Sequence, residues 1–418
     1  MKDFESNEQS KIEYVRQKFL ETCKTFGFKF MTPSPLELVS VIEAKSGQTI
    51  RDEIYFFKDK AEREIALRFD FTIGLTRNVV SQKSIKLPAK MAAFGGVWRY
   101  DEPQKGRYRY FHQWDLEIYG KPSLEADAEI IEFTSKFFSK LNLKNIVIDI
   151  SHRKLVEHVV SKIFESRDPK LIGDIFRAID KVQKKEKDEI LKEYQQKGYS
   201  IEKLEQILEF SKIAGKPREV EKAYNVSQIE AWADLRRLFS SLKDRQVDNI
   251  RVNFGIVRGL DYYSGVVFEA YDTSSNFGAL VGGGRYDSLP KAFGRTDLGA
   301  TGAAGGVERI VLSMENQGIQ SDDSSATVSV LYANEEMQKP AIQIASRLRD
   351  MQIATEIDLS GRSLKKQMEN ATDSLFVLII APDEYSKNTI IIKNMRRGIQ
   401  TYESIDFVLT NAKSLFKP

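Results

Sequence analysis

The sequence predicts an α+β fold in more than one unit: a strand-rich body interrupted by a long helical stretch, then a smaller α/β unit. Three observations carry this. From Tyr55 to Tyr119, and again from about residue 246 to Gly306, β-branched and aromatic residues dominate and glycines punctuate them. From about 152 to 245 the chain is rich in Lys and Glu, with Leu, Ile and Phe at helical spacing and few strand signals. A polar tract at 316–327, "NQGIQSDDSSAT", has the composition of a linker. At 418 residues the chain is also too long for one core, so roughly two to three domains are expected.

Taken in order, Ile12, Val15, Phe19, Cys23 and Phe26 recur at helical spacing, and Gly27 ends a helix expected over 8–27. Pro33 and Pro35 break the extended segment "FKFMTPSPLEL" that follows. Strands are expected at "IYFFKD", "EIALRFDF", "KMAAFGGVWRYD" and "RYRYFHQWDLEIYG", then a helix from Leu124 to Leu141 and a strand at "NIVIDIS". After the helical stretch, "IRVNFGIVRGLDYYSGVVFEAY" resumes the strands, and small residues from Gly302 run into a helix beginning near Gly306. Beyond the polar tract, strands at "VSVLYA", "IATEIDL" and "LFVLIIA" alternate with helices over 338–351 and 363–371, and a strand pair "TIIIKN" and "IQTYESI" follows. That alternation argues for a small α/β domain with a largely parallel sheet. No internal repeat recurs at a fixed period.

Composition narrows the function. No run of about 18 apolar residues occurs, so no membrane span is expected. The opening "MKDFESNEQSKIEYV" lacks the apolar core of a secretory signal. The single cysteine, Cys23, excludes an intrachain disulfide and a cysteine-based metal site, and a reducing, cytoplasmic setting is expected. A net charge of +3 is too small to mark a nucleic-acid protein, so any such contact must come from local patches. Of the three histidines, His112, His152 and His158, the last two fall in "SHRKLVEHVVSKIF", read as a helix with both on a solvated or half-buried face.

Chemistry therefore falls to carboxylates, arginines and backbone, and four stretches concentrate them. In "GIVRGLDYYSGVVFEAY" an apolar, strand-like run carries Arg258, Asp261, Tyr262 and Tyr263 nearly side by side. A buried guanidinium needs a partner, either within the chain or on an anionic ligand. In residues 97–120, arms bearing Arg99, Asp101, Gln113 and Glu117 flank a polar loop with Gln104, Lys105, Gly106 and Arg107. Arg99 offers a planar fork for a phosphate and Phe111 a flat face for a base; the plainer reading is a charged hairpin with cross-strand ion pairs. The glycines at 282–284 and 302–306 match no phosphate-cradling loop. They permit either close backbone approach or close helix–sheet packing, with Arg309 at the start of the next helix. In "ALRFDFTIGLTR", Arg68, Asp70 and Thr72 alternate, so on a strand they share a face able to hold an ammonium.

Together these stretches resemble a known family. "WRYDEPQKGRYRYFHQWDLEIYG" is similar to motif 2 of class II aminoacyl-tRNA synthetases in its histidyl-tRNA synthetase form, "GAAGGVERI" to motif 3, and the Pro33/Pro35 segment to motif 1. "IVRGLDYYSGVVFEAY" and "GGGRYD" resemble the two histidine signatures of that family. The resemblance spans nearly the whole chain and implies an antiparallel sheet with flanking helices over 1–151 and 246–318. It further implies a helical insertion at 152–245 and an anticodon-binding α/β domain at 326–418. It implies ligation of L-histidine to tRNA(His) through a histidyl-adenylate, with ATP as substrate, Mg2+ accompanying it, and a homodimer. By the same resemblance Arg258 and Arg99 flank the α-phosphate, Arg309 faces the γ-phosphate, and Phe111 stacks on adenine with Asp101 near the nucleotide. Asp70, Thr72 and Gln113 bind the α-ammonium, Glu117 and Tyr263 bracket the imidazole nitrogens, and Tyr262 and Gly283 shape the pocket wall. Gln104, Lys105, Arg107, Lys393, Arg396 and Arg397 are candidate tRNA contacts. The alternative is a regulatory subunit of ATP phosphoribosyltransferase that senses histidine without aminoacylating. Such paralogues generally lack the C-terminal domain and carry degraded signatures.

Overall fold

The structure, a computed structural model, describes residues 3–46, 48–100, 108–182, 185–258, 263–319 and 328–416. It divides into two compact units, Met1–Ser321 and Asp322–Pro418.

A nine-stranded sheet organises the first unit. Its order is Lys29–Phe30, Ala89–Trp98, Tyr110–Gly120, Gly299–Gly306, Val281–Arg285, Val266–Asp272, Ile146–His152, Ile250–Asn253 and Ala214–Gly215. Pairing is antiparallel except at Lys29–Phe30 with Ala89–Trp98 and at Ile146–His152 with Ile250–Asn253. Because side chains alternate along a strand, Tyr110–Gly120 serves two layers at once. Trp114, Leu116 and Ile118 face the main apolar core. There the Trp114 ring lies 5.3 Å from Phe19 of the helix Ser6–Phe26 and 5.4 Å from Phe137 of the helix Leu124–Lys140. Each fully buried phenylalanine there contributes roughly 1.5–3 kcal/mol. Gln113, Asp115, Glu117 and Tyr119 point to the opposite face, and all four are buried too.

The expected helices form. Ser6–Phe26 ends on Gly27 at φ 72°, a left-handed conformation that costs glycine nothing. Leu124–Lys140 starts on Ser123, whose side chain accepts from the Glu125 N–H. The stretch 152–245 folds, among its described residues, into six helices from Arg153–Phe164 to Glu230–Asp244, with the two-residue strand Ala214–Gly215 between them.

Three local expectations are corrected. The strand in "EIALRFDFTIGLTR" stops at Leu67, and Thr72–Ser81 is a helix. Its β-branched Ile73 and Val79 carry strand propensity, but burial against the sheet overrides it. His152 is neither helical nor solvated; it closes the strand Ile146–His152, stands just before the helix Arg153–Phe164, and is 4% exposed.

In the second unit the sheet order is Thr355–Ile357, Val328–Tyr332, Phe376–Ile380, Thr389–Asn394, Ile399–Ser404. The first three strands are parallel and the last two pair antiparallel, so the sheet is mixed. The hairpin turn between Asn394 and Ile399 is too short for a parallel crossover. A closing helix, Ile405–Leu415, covers a separate apolar core that includes Val330, Leu378, Ile390 and Leu409.

Candidate active site

The buried polar row on Tyr110–Gly120 forms the base of a site. Its cross-strand neighbours are small but for Met91: Gln113 lies between Gly95 and Gly306, Asp115 between Ala93 and Ala304, and Glu117 between Met91 and Gly302. At Gly302 an added Cβ would stand 1.5 Å from Glu117 Oε2, so only glycine leaves that carboxylate its place. Tyr286 donates its hydroxyl to the same oxygen. Burial first, and then the charge of Glu117, pushes the Tyr286 hydroxyl well above its ordinary value, which keeps it a donor. Gln113 Nε2 donates to Asp115 Oδ1 at 2.6 Å, and Asp115 Oδ2 accepts from the Phe71 N–H and Thr72 Oγ1, both at 3.3 Å. Buried carboxylates held in this way are stable only with such donors.

Two arginines bracket the row. Arg99 is aimed by its neighbours: Nε donates to Phe69 O at 3.1 Å, Nη2 to Gln113 Oε1 at 2.9 Å, and its Cζ lies 5.1 Å from the Phe111 ring centre. Arg258 donates from Nη1 to Glu269 Oε1 at 2.6 Å, and its Cζ lies 5.6 Å from the Tyr263 ring. The Arg258 guanidinium occupies the space above Gly282, where a Cβ would fall 2.3 Å from Nη1. Arg258 itself sits at φ 53°, a left-handed conformation costing a non-glycine residue about 1–2 kcal/mol. The ladder runs Glu269, Gly282, Ala304, Asp115 directly across four strands. Three strand spacings put these end residues about 14 Å apart. Gly282, beneath the Arg258 guanidinium, and Ala304 thus separate Asp115, Gln113 and Arg99 on one side from Glu269 and Arg258 on the other. Tyr263 meets Tyr286 edge-on at 6.5 Å, which ties the Arg258 wall to Glu117.

The sequence-based residues distribute as follows. Arg99, Gln113, Glu117, Arg258 and Tyr263 converge on this face, with Phe111 against Arg99. Asp70 and Thr72 do not share a strand face with Arg68. The Asp70 carboxylate accepts from the Ile73 N–H at the start of the helix, Thr72 turns to Asp115, and Arg68 binds Pro33 O and Gly96 O at 2.8 and 2.9 Å. Gly283 faces away: a Cβ there would meet Phe268 and Gly302 O at about the same 2.5–2.6 Å, so it belongs to the packed face. Gly282 and Gly284 line the site's face instead, as alternation requires. Arg309, the third residue of the helix Val307–Asn316, donates to Ala279 O at 3.0 Å. In the second unit Lys393 lies within the strand Thr389–Asn394, not in a loop, while Arg396 and Arg397 are exposed in the hairpin turn. Asp101, Gln104, Lys105, Arg107 and Tyr262 lie outside the described residues. Sequence reading missed Asp115, Tyr286 and Glu269. The period-2 run Gln113, Asp115, Glu117 would have flagged the first.

A mostly antiparallel sheet carrying opposed arginines and buried carboxylates on one face, with an α/β unit after it, is the plan of a class II aminoacyl-tRNA synthetase. A family model described as histidyl-tRNA synthetase matches residues 1–310, and one described as anticodon binding domain matches 327–415. The chain belongs to the histidyl-tRNA synthetase family. It is 33% identical to a histidine–tRNA ligase of Pyrococcus furiosus over 100% of this chain and 98% of the relative. It is 31% identical to one from Helicobacter hepaticus over 94% and 92%. The fold matches a crystal structure of histidyl-tRNA synthetase from Nostoc sp. PCC 7120 with TM-score 0.83 at 22% identity, covering 99% and 97% of the two chains. It also matches the structure of an ATP phosphoribosyltransferase regulatory subunit/histidyl-tRNA synthetase from Bacillus halodurans C, with TM-score 0.75 at 21% identity over 91% and 97%. Fold alone is therefore shared by both kinds of protein.

Proposed function

We infer that this chain, a histidine–tRNA ligase, carries out its chemistry in the gap between the Arg99 and Arg258 walls. The single observation that carries the residue assignments is the placing of the small residues Gly282 and Ala304 between two arginine–acceptor pairs. A histidine carboxylate oxygen attacks the α-phosphorus of ATP, the bond to the bridging oxygen breaks, and pyrophosphate leaves. A ribose hydroxyl at the tRNA 3′ end then attacks the adenylate's carbonyl carbon and AMP leaves. Negative charge crowds the first transition state, and fixed guanidinium groups stabilise it without reorganising. Arg258 and Arg99 take that role from two sides, Arg309 faces the γ-phosphate, and Phe111 with Asp101 holds adenine and nucleotide. Asp115, through Gln113 and Thr72, adds a buried negative charge where the α-ammonium is read. Glu117, with Tyr263 nearby, reads the imidazole nitrogens. A site built to hydrogen-bond two nitrogens rejects shape mimics that leave its groups unpaired.

Mg2+ is taken to enter with the phosphates of ATP. Among the described residues no three His, Cys, Asp or Glu side chains gather to hold a metal. A homodimer is supported by the small sheet Leu36–Leu38, Glu64–Leu67 and Phe56–Lys58, which leaves Leu36, Leu38, Phe56 and Phe57 exposed. Among the described residues no helix is long and apolar enough to cross a membrane, and cytoplasmic residence is part of the proposal. So are the boundaries 1–151, 152–245, 246–318 and 326–418, and tRNA contact through Arg396 and Arg397. The regulatory reading is disfavoured by the anticodon-binding match at 327–415 and by the retained Arg99, Arg258 and Arg309.

The test is amino-acid-dependent ATP–pyrophosphate exchange with each of the twenty amino acids. Histidine alone should support it. Equal exchange with another amino acid, or none with histidine, ends the ligase reading.

A further inference from the structure

We propose that Arg153 is a positioning residue for adenylate formation, holding the main chain at Arg258 and again at Gly265; this rests on Arg258 being the phosphate-facing arginine. Arg153 opens the helix Arg153–Phe164, directly after the strand Ile146–His152. Its main-chain N–H donates to Gly265 O at 2.9 Å. Its guanidinium Nη1 donates to Arg258 O at 3.1 Å. One residue thus holds the main chain at both Arg258 and Gly265. The same guanidinium lies over the Phe176 ring, with Cζ 4.7 Å from the ring centre, and Phe176 is a buried residue of the next helix, Pro169–Lys181.

Arg258 needs such a holder. A non-glycine residue at φ 53° persists only where its surroundings over-determine it. Glu269 and the space above Gly282 fix the far end of its side chain. Neither holds the Arg258 main-chain carbonyl, and a shift of the Arg258 backbone would carry the guanidinium off its line. A charged donor on that carbonyl resists the shift better than a neutral one. Arginine can donate at its edge while its flat face rests on Phe176, which lysine cannot reproduce. The helices after residue 152 thereby bear on the aim of Arg258 without touching substrate.

The test is a double-mutant cycle on the full chain, read by pyrophosphate exchange and by thermal melting. Arg153→Met keeps an aliphatic stem on Phe176 and removes the donor. It should lower kcat about tenfold to a hundredfold, the cost of a misplacement near 1 Å, with KM for histidine and ATP little changed. Arg153→Lys, which can still donate, should recover part of the loss. In an Arg258→Ala background, Arg153→Met should cost almost nothing more, because it acts through the residue already removed. An equal loss in both backgrounds, an unchanged kcat, or a loss confined to melting temperature overturns the clamp. If Arg258→Ala itself leaves exchange intact, the phosphate role of Arg258 falls, and the clamp falls with it.

Discussion

Arg258 and Glu117 each depend on a glycine that lends them space. The Arg258 guanidinium occupies the space above Gly282, and its fork suits a phosphate in a way a point charge does not. Arg258→Lys keeps the charge and loses the fork. Activation should slow by about two orders of magnitude, roughly 3 kcal/mol, while calorimetry should find histidine binding changed far less. Normal turnover with lysine would remove Arg258 from the phosphate. Gly302→Ala probes the other wall, since its methyl would collide with Glu117 Oε2 and stand 2.6 Å from Leu116 O. Overpacking of this kind costs about 1–3 kcal/mol, and the displaced carboxylate should raise KM for histidine well beyond KM for ATP. Matched rises in both would show that Glu117 does not read the amino acid. These side chains were legible one by one from their types and spacing. Their partners were not: Glu269 and Tyr286 approach Arg258 and Glu117 only through strand pairing.

Where the strand Ile146–His152 hands over to the helix Arg153–Phe164, one buried histidine makes the junction pH-sensitive. Burial holds His152 down to about 4, against the weaker opposing pull of Asp234, whose Oδ2 is 3.9 Å from Nε2. Between pH 6.5 and 4 the unfolded chain therefore binds a proton that the folded protein refuses. Stability from this group is full above about pH 6.5 and falls as the pH drops, by about 3 kcal/mol at pH 4. His152→Gln should flatten this part of the pH dependence. Urea midpoints for both proteins from pH 4 to 7 check it, and parallel curves would refute it. The same junction illustrates why element ends were hard to read. "ISHRKLVEH" carries helical spacing throughout, yet pairing of Ser151 and His152 with Val267 and Val266 extends the strand. The helix Thr72–Ser81 was missed for the converse reason: its β-branched residues look like strand until the sheet buries them.

Across the whole molecule, each unit has an apolar core of its own, and the candidate histidine and ATP ligands all lie at or before Arg309. A chain ending before residue 326 should therefore keep pyrophosphate exchange. It should lose most tRNA charging and part of the salt dependence of tRNA binding, since fewer phosphates are neutralised. Sedimentation of the shortened chain alongside the kinetics separates this from loss of the proposed dimer. Preserved charging with unchanged salt sensitivity would detach the second unit from tRNA.

Residue order alone determined the α+β class, the long helical stretch, and the arginines and carboxylates to which the proposed chemistry is assigned. Those follow from local periodicity and from side-chain chemistry that survives in any fold. Tertiary structure decided the rest. It showed that Gly282 and Gly284, not Gly283, lie on the face of Asp115 and Glu117, that Asp115 joins Gln113 and Thr72, and that Arg153 holds the main chain of both Arg258 and Gly265. Such facts depend on which strands lie side by side and in what register, and a one-residue shift of register would turn every one of these side chains to the other face.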